Sequence, residues 1–344
     1  MSVQKYKMET RLYSIDYAKI LAMFLVVFAH LYAPNSAERL YIYSFHMPFF
    51  FLVSGMLHKF DGHIQLKKYF RTLIVPYIFF TLLYLLFAPV LYAAGIWDIN
   101  IDLPDVNGST LRGTFLMLKA SILSPFSGNC YIINGTLWFL LALFWCKLWC
   151  DWMLVKNNQK MKVALVILLF VLVLVFHPTH RLFIAQGLMA LPFYFMGYML
   201  KPYLQMSFRT WCLLLVVILF LCVNIGITQI NGRVSMVSTT FGTSTFPINF
   251  VLFYINGILG SAMLLMLVYN IRRATPFIVK CSNAMISILG LQKFGYNTVK
   301  HVLGQDNNWL LSCVLAMTIM LICVLLHNLF LRYIPWVFNK RKNI

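Results

Sequence analysis

The chain has 344 residues, of which 61% are hydrophobic and 11% charged, against about 25% charged residues in a soluble globular protein. So few charges cannot build a water-facing surface, and the apolar residues fall in runs of about eighteen or more, enough to cross a hydrocarbon core about 30 Å thick as helix. The net charge of +19 is that of a membrane protein whose cations gather in cytoplasmic loops beside anionic lipid. No basic segment carries a nucleic-acid-binding motif, so nucleic acid is not an expected partner.

Reading apolar runs between charged, Gly, Pro and Asn clusters predicts about ten helical spans, hence an all-α polytopic membrane protein forming a single domain over residues 1–344. They lie near 16–33, 42–57, 73–92, 137–155, 163–177, 183–200, 210–227, 247–269, 276–292 and 309–331. The tail from Met1 to Arg11 runs into the first span with no small-residue cleavage site, so that span is expected to be retained. With a cytoplasmic N-terminus, twenty Lys and Arg fall in the cytoplasmic set of loops. Only seven fall outside: Arg39, Arg112, Lys119, Arg181, Arg233, Lys293 and Lys300. This bias predicts both termini in the cytoplasm of a bacterial inner membrane, and it supports the weak ninth span, whose loss would move Lys340 to Lys342 outside.

The first span holds three ionisable groups, each costing about 2.5–3.5 kcal/mol to insert. Asp16 and Lys19 are helix neighbours that can pair. His30 follows Lys19 by eleven residues, about three turns and roughly 16 Å along one helix face. A lysine suits an anion, and a near-neutral imidazole suits removal of a hydroxyl proton. The plain alternative is a lysine snorkelling to headgroups and a histidine at the opposite interface.

The second span runs through Phe45-His46-Met47-Pro48 to Ser54-Gly55, where small residues let a helix or a ligand approach closely. His46, beside a proline at an interface, reads equally well as a structural residue. The basic stretch Lys67-Lys68-Tyr-Phe-Arg71 before Pro76 suits either lipid contact or the phosphates of coenzyme A. The loop near 93–136 carries Asp98, Asp102 and Asp105, and the loop near 228–246 is rich in Gly, Ser, Thr and Asn. Either loop is able to meet a polar ligand. Of eight cysteines, seven lie in or beside apolar runs and Cys130 sits in the long loop, so neither a disulfide framework nor a metal site is expected.

Asp16-Tyr-Ala-Lys19 through His30, Phe45-His46-Met47-Pro48 through Ser54-Gly55, and Arg71-Thr-Leu-Ile-Val-Pro76-Tyr77 together resemble the opening of the acyltransferase-3 family, most closely its fucose-4-O-acetylase-like branch. That family places Arg or Lys, ten residues and then His in its first span, and an aromatic-rich Ser-Gly motif in its second. The likeness continues more loosely through Trp138-Phe139-Leu140, Pro192 to Tyr198, and Asn231-Gly232. It departs where members place a Gly-x-Asn-Ser-like step and a later histidine before the last span. This chain has Cys281-Ser-Asn283-Ala there, with Leu291 or Gln292 at the expected histidine position.

The resemblance implies transfer of an acyl group, commonly acetyl, from cytoplasmic acetyl-CoA to a glycan or sugar hydroxyl within or beyond the membrane. On this reading the candidate catalytic residues are His30 and Asp16. Lys19, Lys68, Arg71, Ser54 and Gly55 are candidates for the coenzyme A donor, and His46 and Trp138 for the acceptor. The expected partners are thus acyl-CoA, a glycan acceptor and the bilayer. The rival class is a secondary transporter or exporter of an anionic or glycan substrate, with Lys19 as counter-charge and His30 as proton relay. No inverted repeat joins the two halves.

Overall fold

The computed structural model describes residues 11–33, 36–96, 119, 135–176, 181–205, 208–232, 248–304 and 308–339. Most of the loops near 93–136 and 228–246, and the position of Cys130, lie outside the described residues. Regular structure among the described residues is all helical. In chain order the helices are α1 (Tyr13–Leu31), α2 (Ala37–Met56), α3 (Leu66–Ala93), α4 (Trp138–Leu154), α5 (Gln159–Phe176) and α6 (Ile184–Leu200). They continue with α7 (Thr210–Asn231), α8 (Ile248–Val268), α9 (Pro276–Asn283), α10 (Met285–Leu303) and α11 (Trp309–Tyr333).

Among the described residues, six helical stretches are long and apolar enough to cross a membrane: Tyr13–Leu31, Leu66–Ala93, Gly135–Leu154, Thr210–Asn231, Phe250–Val268 and Trp309–Tyr333. Their outward faces are apolar, with Leu86 and Val90 on α3, Leu215 and Leu219 on α7, and Leu310 and Leu325 on α11 all exposed. A helix hides its own backbone polar groups, so such a face is stable against lipid.

Two helices, α2 and α3, begin well before the apolar runs that announce them. α2 starts at Ala37, where the Ser36 hydroxyl accepts the Arg39 N–H at 3.2 Å, an N-cap that outweighs the polarity of its first turn. α3 starts at Leu66, so Lys67, Lys68 and Arg71 ride on a helix. It widens to a π-helix over Phe70–Ile74. Pro76 cannot donate to the carbonyl of Thr72 and its ring would crowd that carbonyl, and the wider turn relieves the conflict. The expected span near 276–292 is also corrected. Helix α9 ends at Asn283, the chain bends at Ala284 (φ −84°, ψ 3°), and α10 continues to Leu303.

α2 is the centre of the bundle and packs along α6, α8 and α1. It crosses α6 backbone to backbone. A Cβ placed at Gly55 would lie within 1.9 Å of the Tyr194 carbonyl oxygen, and one at Gly197 within 1.9 Å of the Leu52 carbonyl oxygen. Polar side chains join α7 to α8, with Asn224 donating to the Asn256 carbonyl and Asn256 to the Thr228 hydroxyl, each at 2.7 Å. In lipid such bonds replace the hydrophobic drive that joins helices in water.

Candidate active site

Two polar clusters sit at opposite ends of α1. At the first, the carboxylate of Asp16 accepts from Arg11, with Nε at 2.5 Å and Nη2 at 3.2 Å, and lies 3.3 Å from Lys19 Nζ. It also accepts from the Ser282 hydroxyl. Arg11 donates onward to the Asn283 side chain at 3.1 Å. Asp16 therefore anchors Lys19 and ties the start of α1 to the end of α9. It lies fourteen residues from His30 on one helix, about 21 Å of rise, so the two candidate catalytic residues are not brought together.

At the other end, His30 is partly exposed and is flanked by two tyrosines. Its ring stacks on Tyr296 of α10 at 5.1 Å and meets Tyr43 of α2 edge-on at 6.1 Å, with Nδ1 3.4 Å from the Tyr43 hydroxyl. The Tyr43 ring also lies 5.0 Å from that of His46, so the structure groups His30, Tyr43 and His46. His46 Nδ1 lies 2.9 Å from the carbonyl of Ile42. A carbonyl can only accept, so Nδ1 carries the proton, and in the neutral ring Nε2 keeps its lone pair.

Lys19 and His30 share one face, offset by about 20° over their eleven residues at 100° per residue. Met23 and Val26, between them on that face, are 3% and 4% exposed, so the face is turned into the bundle. The opposite side of α1, with Tyr17, Ile20, Leu21 and Phe24, lines an apolar groove of about 620 Å³ against α11 and carries none of the ionisable groups.

The remaining candidates are placed as follows. Lys68 and Arg71 are exposed on the first turns of α3, with Lys68 Nζ held by the Gln65 side chain at 2.5 Å. The close approach at Gly55 is filled by α6, which accounts for this glycine by helix packing rather than by a ligand. Ser54 beside it is partly exposed. Trp138 is 4% exposed, and its described ring contacts are with Phe51, Phe139 and Phe183. His327 is buried on α11 and bonded to Ser287 at 2.8 Å; it joins α11 to α10.

One buried network escaped the sequence reading. His58, just past α2, lies between the Tyr194 hydroxyl, 2.7 Å from Nδ1, and the Asp151 carboxylate, 3.0 Å from Nε2, though off the line of a hydrogen bond. Asp151 also accepts the Gln65 backbone N–H at 3.0 Å, and Lys147 donates to the Tyr194 hydroxyl at 3.3 Å. Lys201, just beyond α6, donates to the His58 carbonyl at 2.6 Å. Burial, then the charge of Lys59, pulls the Lys201 ammonium below the ordinary lysine pKa. This network pins residues 58–65, the approach to Lys68 and Arg71. Its signal was Lys147 and Asp151 four residues apart in an apolar run, a pairing that intramembrane charge makes conspicuous.

Against known families, the model of an acyltransferase domain matches residues 12–328. The chain belongs to the acyltransferase-3 family. The match spans both ends of α1, the histidine pair and the His58 network of this membrane acyltransferase. Neither a curated protein nor a solved structure matches the chain.

Proposed function

We propose that this acyltransferase is an O-acetyltransferase of the fucose-4-O-acetylase-like branch, moving an acetyl group from cytoplasmic acetyl-CoA to a hydroxyl of an exported or cell-surface glycan. In this reading ten helical segments cross the cell membrane and both termini are cytoplasmic. The observation that carries it is the inward face of α1, with a cation at one end and an imidazole about 16 Å away. Lys19, Lys68 and Arg71 receive the phosphates of coenzyme A, and the pantetheine arm runs along that face inside the bundle, beside the flexible Met23.

His30 then acts with Nδ1–H toward Tyr43, whose oxygen has a lone pair for it as well as for Arg39. Its Nε2 takes the proton of the acceptor hydroxyl. The hydroxyl oxygen attacks the thioester carbonyl and the carbon–sulfur bond breaks. The imidazolium returns the proton to the departing thiolate, giving the ester and free coenzyme A.

The test is purified full-length protein in nanodiscs, incubated with radiolabelled acetyl-CoA and a panel of oligosaccharides. Label on a saccharide with matching thiol release is the expected result. Saccharide flux into proteoliposomes with no acetyl transfer would instead establish the transporter reading.

A further inference from the structure

The end of α1 that holds His30 is ringed by cations that the transfer chemistry does not require. The Arg39 guanidinium lies 5.0 Å over the Tyr43 ring and donates to the Tyr43 hydroxyl at 3.1 Å. The Lys300 ammonium lies 5.4 Å over the Tyr296 ring. Both rings that flank His30 therefore carry a cation. Lys293, two turns before Lys300 on α10, lies 4.9 Å over Tyr84.

Like charges gathered in a partly desolvated place repel one another, and something must offset that cost. Among the described residues, the carboxylates that form ion pairs are Asp16, Asp61 and Asp151, and none pairs with Arg39 or Lys300. Arg39 Nε is moreover buried without a hydrogen-bond partner, a donor left unspent at a real cost. Orientation does not explain these residues, since topology signals place cations on the cytoplasmic side and all three are assigned to the outside. Aromatic contact alone does not explain Arg39 and Lys300 either, because they come from two helices and cap the two rings that flank one histidine. A planar guanidinium with a free N–H beside an ammonium suits a carboxylate or phosphate.

We propose that the acceptor is an anionic saccharide, whose carboxylate or phosphate is held by Arg39 and Lys300, so that a neighbouring hydroxyl faces His30. This rests on the acyl-transfer reading of the same site and names the class of its acceptor.

The experiment measures equilibrium binding to the full-length protein in zwitterionic nanodiscs. The probes are trigalacturonate, its methyl ester, glucose 1-phosphate and glucose. At least one charged probe is expected to bind about tenfold or more tightly than its neutral counterpart, the size of one lost charge-assisted contact. Which charged probe wins separates a uronate from a phosphorylated sugar. Arg39→Gln and Lys300→Gln should each remove most of that advantage without lowering thermal stability, and added salt should erode it. Equal binding of charged and neutral probes, no binding included, overturns the proposal, as does a charge preference that survives both substitutions. Abolition of saccharide binding by phosphatidylglycerol in the nanodisc also overturns it, because the site is then a lipid headgroup site. Charge-selective binding without acetyl transfer would leave the anion site standing and sink the acetyltransferase reading instead.

Discussion

His30 and His46 touch the same tyrosine yet face different constraints. His46 spends Nδ1 on the Ile42 carbonyl of its own helix, a bond that also fixes its ring. His30 is held by the rings of Tyr43 and Tyr296, from two other helices. If His30 is the base, His30→Ala should leave membrane insertion and donor binding close to wild type. Transfer should then fall about 10²–10⁴-fold, measured as labelled glycan per unit of folded protein. A stable His30→Ala enzyme retaining more than about a tenth of the activity would move the role to His46, whose Nε2 is already set up to accept a proton. The contact between Asp16 and Lys19 was legible in the sequence, because residues three apart are neighbours on a helix and a charge inside an apolar run calls for a partner. The pairing of His30 with His46 was not, since it depends on how α1 and α2 pack. His58 was hidden for another reason: a histidine just past a helix end looks solvated until the partners Tyr194 and Asp151, far along the chain, close over it.

Helices here are held by contacts that tolerate little change. Where α2 meets α6, neither Gly55 nor Gly197 leaves room for a methyl group, and the obstacle is backbone carbonyl, which cannot rotate away. Gly55→Ala should therefore destabilise the detergent-solubilised protein by about 3 kcal/mol, at the upper end of overpacking penalties. Ser54→Ala, one position away and partly exposed, should change stability by less than about 0.5 kcal/mol. Thermal unfolding of the two variants side by side checks this, and equal stability would show that the crossing can open. The aromatic Ser-Gly step was visible in the sequence, but which of helix or ligand fills it was not, because a small residue records only that something is close. The π-turn that carries Arg71 could have been suspected from Pro76, yet a proline five residues on is equally compatible with a kink or a helix end.

At the scale of the whole molecule, apolar runs located helices well because lipid demands both apolar side chains and internally paired backbone. They failed at α9 and α10. There the run is interrupted by Lys280 and Ser282, and α10 keeps Gln292, Lys293 and Asn297 buried, so hydropathy blurs an element whose polar residues face inward. The charge bias predicts that residues 59–71 face the cytoplasm and residues 93–136 the outside. Single cysteines at positions 105 and 158 test it in intact cells with a membrane-impermeant thiol reagent. Labelling at 105 and not at 158 is expected, and the reverse would invert the topology. Because Lys19 and His30 belong to one uninterrupted helix, their separation is set by residue count alone. Inserting a single residue between them would turn one about 100° away from the other, and a whole added turn would restore the facing but lengthen the gap by about 5 Å. If both residues serve one acyl transfer, as proposed above, new acceptors would arise by exchanging side chains on the surrounding helices. The stretch between positions 19 and 30 would then be free to vary in composition but not to grow or shrink.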